Sequence, residues 1–444
     1  MKIIAGAIII FLLLSSCARK NAVIVSGRVE NGDTIVSVWV DDTIYSFPLD
    51  ENGFFAGSIP LQKGVYASFL PNFLDLYLSP GEDLEIYVNM LNISGSLNFS
   101  GSLGGINNYM KEQEMAVFFN KDYYALEEED FVKQMQRLIE EKTTLLEAKN
   151  FDAVFTDIEK LRIRYSIGER ILVYPFYRQQ NQVGSYHPGK MFSDFLSTFS
   201  LDHDELFVTR DYRKFLLNYV YFQGGNQYDA GENYTSGIAD YIFVHFTKPD
   251  IRDFLLSEVV YRYMWENNGL EGAGHLLEVF RRECKDSKRI QYIEDIVSRW
   301  EKLLVGEPAP DFTLEGGNGK TIRLKDFRGK YLYISVWASW CMPCKKELPY
   351  IKLLEKEYEG KNIQFLCVSI DGTDRKSEWE RALKKEKYGG MQAIIDKNGK
   401  FNQDYMIISV PRFILVDPEG KIVSSNAPRP SGAILHFLNK QQIH

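Results

Sequence analysis

The chain reads as a multidomain protein of three successive classes: an N-terminal all-β domain, a central α-helical region and a C-terminal α/β domain. Three observations predict this. Residues 22–100 carry short β-prone runs divided by turn signals such as Asn31-Gly32, Asn52-Gly53 and Ser79-Pro80-Gly81. Residues 101–304 carry apolar side chains at helical spacing. Beyond Glu307-Pro308-Ala309-Pro310, strand-like and helical runs alternate, and a Cys-x-x-Cys pair sits where one changes into the other. With 444 residues, 45% hydrophobic and 14% aromatic, the chain is too long for one domain and has ample material for several cores. The expected divisions are 1–16, a leader; 17–100, a β-sandwich-like domain; 101–304, helical; and 305–444, α/β.

Taken in order, Met1-Lys2 precedes an apolar run from Ile3 to Leu14, shorter than the roughly 20 residues a spanning helix needs. It reads as a signal peptide. Leu14-Ser15-Ser16-Cys17 resembles a bacterial lipobox, which would make Cys17 the new N-terminus and a lipid anchor; the plainer reading is an ordinary cleavage site beside a coincidental cysteine. Ala18-Arg19-Lys20-Asn21 lacks an acidic residue, which points to a periplasm-facing lipoprotein of the cell envelope. Strands are then expected over Val23 to Val29, Thr34 to Val40, Thr43 to Pro48, Phe54 to Pro60, Val65 to Leu70, Leu74 to Leu78 and Leu84 to Val88, forming a small sandwich or barrel.

In the helical region Phe131, Met135, Leu138, Ile139, Leu145 and Leu146 form one apolar stripe, and Ile251, Phe254, Leu255, Val259, Tyr263 and Met264 another. Aromatic residues are dense there, among them Tyr174, Phe176, Tyr177, Tyr212 and Phe215; core filling is the favoured reading and a substrate groove the alternative. With 60 acidic against 52 basic residues the net charge is -8. No basic run is interleaved with aromatics, so nucleic acid is not an expected partner. The six histidines show no ligand spacing, and no metal and no cofactor beyond the chain's own dithiol is assigned.

The chemistry concentrates at Cys341 and Cys344. Tyr331 to Trp337 is a buried-strand pattern, and the residues from Lys345 to Tyr358 follow helical period, which puts Cys341 at a helix N-terminus. Unpaired N–H groups and the helix dipole there favour thiolate, making Cys341 the attacking nucleophile and Cys344, one turn further in, the resolving partner. A structural disulfide or half of a zinc site are the blander readings; zinc needs four ligands, and the nearest downstream histidine is His436, alone. Cys367 lies in a strand-like run and reads as a core residue, whereas Cys284 follows a helical stretch and is left open to solvent.

From about Val305 onward the chain resembles the TlpA/ResA-like thioredoxin-fold thiol–disulfide oxidoreductases. The residues that carry the resemblance are Gly306-Glu307-Pro308-Ala309-Pro310-Asp311-Phe312, Gly329-Lys330, the run from Trp337 to Cys344, Glu347-Leu348-Pro349 and Val410-Pro411. The resemblance implies a cis Pro411 beside a redox-active Cys341–Cys344 disulfide, with Trp340, Val410, Pro411 and Arg412 binding substrate. It implies that Glu347 lies under the dithiol, where a buried carboxylate can take the proton from Cys344. Thioredoxin's buried aspartate is matched here by Ser335. The N-terminal part resembles the β domain that accompanies thioredoxin-like lipoproteins of Bacteroidetes.

The implied activity is reduction of disulfides in periplasmic proteins, recharged by a membrane dithiol donor. A scaffold lipoprotein with a secondary redox domain is one alternative. Thiol peroxidase is another, because the segment Pro308 to Phe312 also resembles peroxiredoxins; Ala338, however, stands where those enzymes carry an activating threonine.

Overall fold

The computed structural model describes residues 21–443 apart from 33, 41–42, 71–73, 117–120, 182–185, 204–205, 208, 228–233, 373–374, 387, 396–398 and 442. The expected leader and Cys17 therefore lie outside the described residues. The chain divides into two compact units, 1–222 and 223–444.

The first unit begins with eight strands: β1 (Ala22–Glu30), β2 (Ile35–Val40), β3 (Thr43–Pro48), β4 (Phe54–Pro60), β5 (Val65–Leu70), β6 (Leu74–Leu78), β7 (Asp83–Asn89) and β8 (Asn98–Ser100). They form two four-stranded sheets, ordered β4-β1-β7-β8 and β3-β2-β5-β6. Alternation along β1 and β7 buries Val23, Val25 and Val29 with Leu84, Ile86 and Val88 on one face. The Phe47 and Phe55 rings, one from each sheet, meet at 6.2 Å, so the sheets close as a sandwich. Gly27 is required between β4 and β7, since a Cβ there would fall 1.8 Å from the Ile86 carbonyl oxygen. The exposed edge of β6 is covered by Asn107, whose side chain accepts from the Tyr77 N–H at 2.9 Å and donates to its carbonyl at 3.0 Å.

Helices follow, including Glu128–Glu147, Ala153–Asn181 and Arg210–Gln227. On the first, Phe131, Met135 and Leu146 are buried as expected; Leu145 points outward at 57% exposure and Val132 is buried in its place. The expected stripe misplaced these two because consecutive residues sit about 100° apart on a helix. Tyr174, Tyr212 and Phe215 are wholly buried, so these aromatics fill the core, while Phe176 faces outward. A buried ionic group crosses this unit. Tyr66 of β5 donates to Glu159 at 2.7 Å, Arg162 grips Glu159 through two hydrogen bonds of 2.7 Å, and its third arm reaches Asp211 at 2.6 Å.

The second unit contains the helices Tyr234–His245, Pro249–Glu266, Gly274–Glu283 and Ser287–Glu301 and a seven-stranded sheet. Its strands are β9 (Thr313–Gly316), β10 (Thr321–Arg323), β11 (Tyr331–Trp337), β12 (Ile363–Ser369), β13 (Met391–Ile394), β14 (Arg412–Val416) and β15 (Ile422–Ser424), ordered β10-β9-β13-β12-β11-β14-β15. β11, β12 and β13 run parallel and β14 antiparallel to β11. Every residue of β11 is buried, as befits a strand covered on both faces. Tyr333, Trp337, Phe365, Trp379 and Phe413 fill the core with Leu348 and Ile351 of the helix Met342–Glu357. Among the described residues no helix is long and apolar enough to cross a membrane.

Candidate active site

The site lies where β11 ends. Its last residue, Trp337, is buried and pairs with Ser369 of β12; the chain then turns through Ala338, Ser339 and Trp340 into the helix Met342–Glu357. Cys341 is the N-cap, in extended geometry with φ -83° and ψ 97°, and its Sγ accepts the N–H of Cys344 at 3.2 Å. That N–H is one of the four a helix N-terminus leaves unpaired, so it is aimed at whatever charge Sγ carries. Pro343 sits in the first turn, where a missing N–H costs no hydrogen bond. Cys341 and Cys344 are joined as a disulfide, with Cα atoms 5.3 Å apart.

The Val410–Pro411 bond is cis, and the Val410 carbonyl oxygen is 3.8 Å from the Cys341 Sγ. Trp340 and Met342 stand out on the surface at 55% and 62% exposure, with Val410 and Pro411 half-buried beside the dithiol. Cys341 itself is 4% exposed and Cys344 1%. Of the two, Cys341 is the less deeply buried.

Glu347 lies one turn beyond Cys344 and is buried at 7% exposure. Both its oxygens are occupied: the Ser431 N–H donates to one at 3.0 Å and the Ser431 hydroxyl to the other at 2.8 Å. Arg429 stands 4.0 Å away, too exposed to add much. Nearby, burial holds the Tyr333 phenol well above its ordinary range, with the Glu347 charge adding to the effect, so Tyr333 keeps its proton and donates to the Pro428 carbonyl at 2.7 Å.

Arg412 corrects the sequence reading. It was expected at the substrate face with Val410 and Pro411, but its side chain is 1% exposed and turned toward the helices of the second unit. Its Nε donates to the Ser425 carbonyl at 2.6 Å, one Nη to the Asn268 carbonyl at 3.0 Å, and the guanidinium lies 5.2 Å from the Trp300 ring centre. Neighbours in sequence part company here because successive side chains of an extended chain point to opposite sides.

Asp371, which the sequence reading did not single out, ties down the loop before Cys341. It is 4% exposed and accepts from the Ser339 N–H at 2.8 Å, the Ser339 hydroxyl at 2.7 Å and the Ser369 hydroxyl at 2.5 Å. Its position just past the carboxyl end of a parallel strand was the signal available, because that is where such sheets assemble sites. The two free thiols among the described residues are both buried. Cys367 is fully buried and burial pushes it up to about 12; Cys284, whose exposure the sequence left open, is 2% exposed and burial pushes it up to about 11.

Residues 305–425 match the AhpC/TSA family. Over 126 residues the chain is 34% identical to the thiol-disulfide oxidoreductase ResA of Bacillus cereus, spanning 28% of this chain and 71% of that one. It is 30% identical to ResA of Bacillus subtilis over 141 residues, or 31% of this chain and 76% of the relative. The chain belongs to the ResA-like thiol–disulfide oxidoreductases. Among solved structures, a thiol-disulfide oxidoreductase from Bacteroides vulgatus shares 41% identity over 31% of this chain and 97% of its own, with a TM-score of 0.29. The family match, residues 305–425, takes in the dithiol at the end of β11; the β-sandwich and most of the helices lie outside it.

Proposed function

We propose that this ResA-like protein is an envelope protein-disulfide reductase, held at the periplasmic face of a membrane by lipid on Cys17. The observation that carries the reading is Cys341 at a helix N-cap, its Sγ receiving the Cys344 N–H and lying beside the carbonyl of Val410. In the reduced protein the Cys341 thiolate attacks a substrate disulfide; a mixed disulfide forms and one substrate sulfur leaves as thiolate. Cys344 then loses its proton and attacks the Cys341 Sγ, the second substrate thiolate leaves, and the Cys341–Cys344 disulfide is restored. Two electrons and two protons pass to the substrate, and a membrane dithiol donor returns them. Glu347, one turn from Cys344, takes the proton of the resolving step, with Ser431 fixing its orientation. Val410 and Pro411 align the substrate backbone, and Trp340 offers it an exposed apolar surface. The domain limits 17–100, 101–304 and 305–444 belong to the same proposal.

The test is trapping. Cys341→Ser is expected to abolish disulfide reduction, while Cys344→Ser accumulates mixed disulfides that a reductant releases. Faster iodoacetamide labelling of Cys344 than of Cys341 in the reduced protein would reverse the two roles. Cys17→Ala is expected to move the protein from the membrane to the soluble fraction with its dithiol activity in vitro intact. Continued sedimentation with membranes would refute the anchor.

A further inference from the structure

Arg412 is placed as no stability argument requires. A buried cation is expensive, and the usual compensation is a carboxylate. Among the described residues Arg412 has none: two carbonyl oxygens and an indole face take its place, and Nη1 has no partner. Burial alone lowers the guanidinium to about 10, which leaves it charged at neutral pH.

What the arrangement does secure is position. Helix Pro249–Glu266 ends in a left-handed cap at Asn268, with φ 50°, and the Gly269 N–H bonds back to the Met264 carbonyl at 3.1 Å. Asparagine tolerates that conformation better than most residues. The cap leaves the carbonyls of Asn267 and Asn268 free of the helix, and both are taken by the α/β domain. Arg412 donates to Asn268, and the Asn426 side chain donates to Asn267 at 3.2 Å. Trp300, from the helix Ser287–Glu301, is 2% exposed and forms the wall under the guanidinium. Arg412 is the first residue of β14, directly after Pro411 and two residues from the carbonyl that faces Cys341.

We propose that Arg412 is a positioning residue through which the helical layer of the second unit holds the Val410–Pro411 loop against the dithiol. The helices Pro249–Glu266 and Ser287–Glu301 thereby form part of the redox apparatus, and loosening this strap weakens alignment of extended protein substrates. The inference rests on the reading of Val410 and Pro411 as the substrate-aligning loop.

The experiment uses the full chain with two variants. Arg412→Met keeps the apolar stem and orphans no carboxylate; Asn426→Ala removes the second, exposed strap and leaves the core untouched. Single-turnover reduction of insulin is expected to show a half-saturating concentration raised at least about fivefold in Arg412→Met, with the limiting rate within about twofold, because substrate alignment is lost before chemistry. Asn426→Ala moves the same way by a smaller factor. A half-saturating concentration within twofold of the parent in both variants, or a limiting rate that falls in step with it, overturns the strap. Hydrogen exchange reads the strap without reference to activity: amides of residues 408–413 are expected to exchange at least about tenfold faster in Arg412→Met, since a local tether has been cut. Unchanged exchange refutes the proposal. Faster exchange in a protein whose unmutated form reduces no insulin would instead refute the reductase reading.

Discussion

Among the described residues two arginines are buried, and their surroundings have little in common. In the first unit Arg162 is enclosed with Glu159 and Asp211; burial opposes its charge, but the two carboxylates outweigh that and hold it well above its ordinary range. In the second unit Arg412 meets, among the described residues, only carbonyls and an indole, and burial alone draws it down. The first pattern is a closed ionic group joining β5 to two helices. The second is an unbalanced cation next to the Val410–Pro411 bond beside the dithiol. Equal burial thus goes with different surroundings: one charge is balanced by carboxylates, the other only by carbonyl dipoles and a ring face.

The comparison breaks first at Arg162. Arg162→Met strands Glu159, which is wholly buried, and is expected to cost about 3–5 kcal/mol; the shift in urea midpoint followed by circular dichroism measures it. Arg412→Met strands no charge and is expected to cost only about 1–2 kcal/mol, the loss of two neutral hydrogen-bond acceptors' partners. Equal shifts in the two variants would show that the carboxylates around Arg162 contribute nothing particular. Asp371→Asn extends the contrast to an anion held by neutral donors alone. Its amide can replace one acceptor oxygen but turns N–H toward a donor, so a loss of about 1–2 kcal/mol is expected, together with a changed pH profile for alkylation of Cys341 as the Ser339 turn loosens. An alkylation profile identical to the parent's would separate Asp371 from the dithiol.

An effect confined to alkaline pH concerns Cys284, a neutral group in the same unit as Arg412. Burial, with Asp253 adding to it, raises the thiol from 9.0 to about 11, so the folded form keeps its proton where the unfolded chain has lost it. The stabilisation is complete below pH 9.0 and is lost as pH climbs to about 11. Parent stability is therefore expected to fall more steeply over that window than the stability of Cys284→Ala, as denaturation at several pH values would reveal.

Much of this was legible in the sequence because it depends on local pattern. Strands β3 to β6 occupy the limits read from alternation and turn residues, and β11, the dithiol helix and β12 follow from one buried run, one Cys-x-x-Cys and another buried run. Strands β8, β9, β10 and β13 were missed; at three or four residues each they are too short for any period to register. Arg412 was legible as a neighbour of Pro411 and illegible as a buried group, because its partners Asn268 and Trp300 lie more than a hundred residues upstream. Ser431 was hidden from Glu347 in the same way, 84 residues away in the chain.

The mixed pairing of β1 dictates an order of assembly. β1 lies antiparallel to β4 on one side and parallel to β7 on the other, with Ile24 opposite Asp83. β1 therefore waits for its parallel partner about sixty residues later, and closing a loop of that length is slow compared with forming a hairpin such as β2–β3. Until β7 arrives, β1 offers an unpaired edge rich in valine and isoleucine. A chaperone that shields nascent chains would find a site there, well before the redox-active residues have been made.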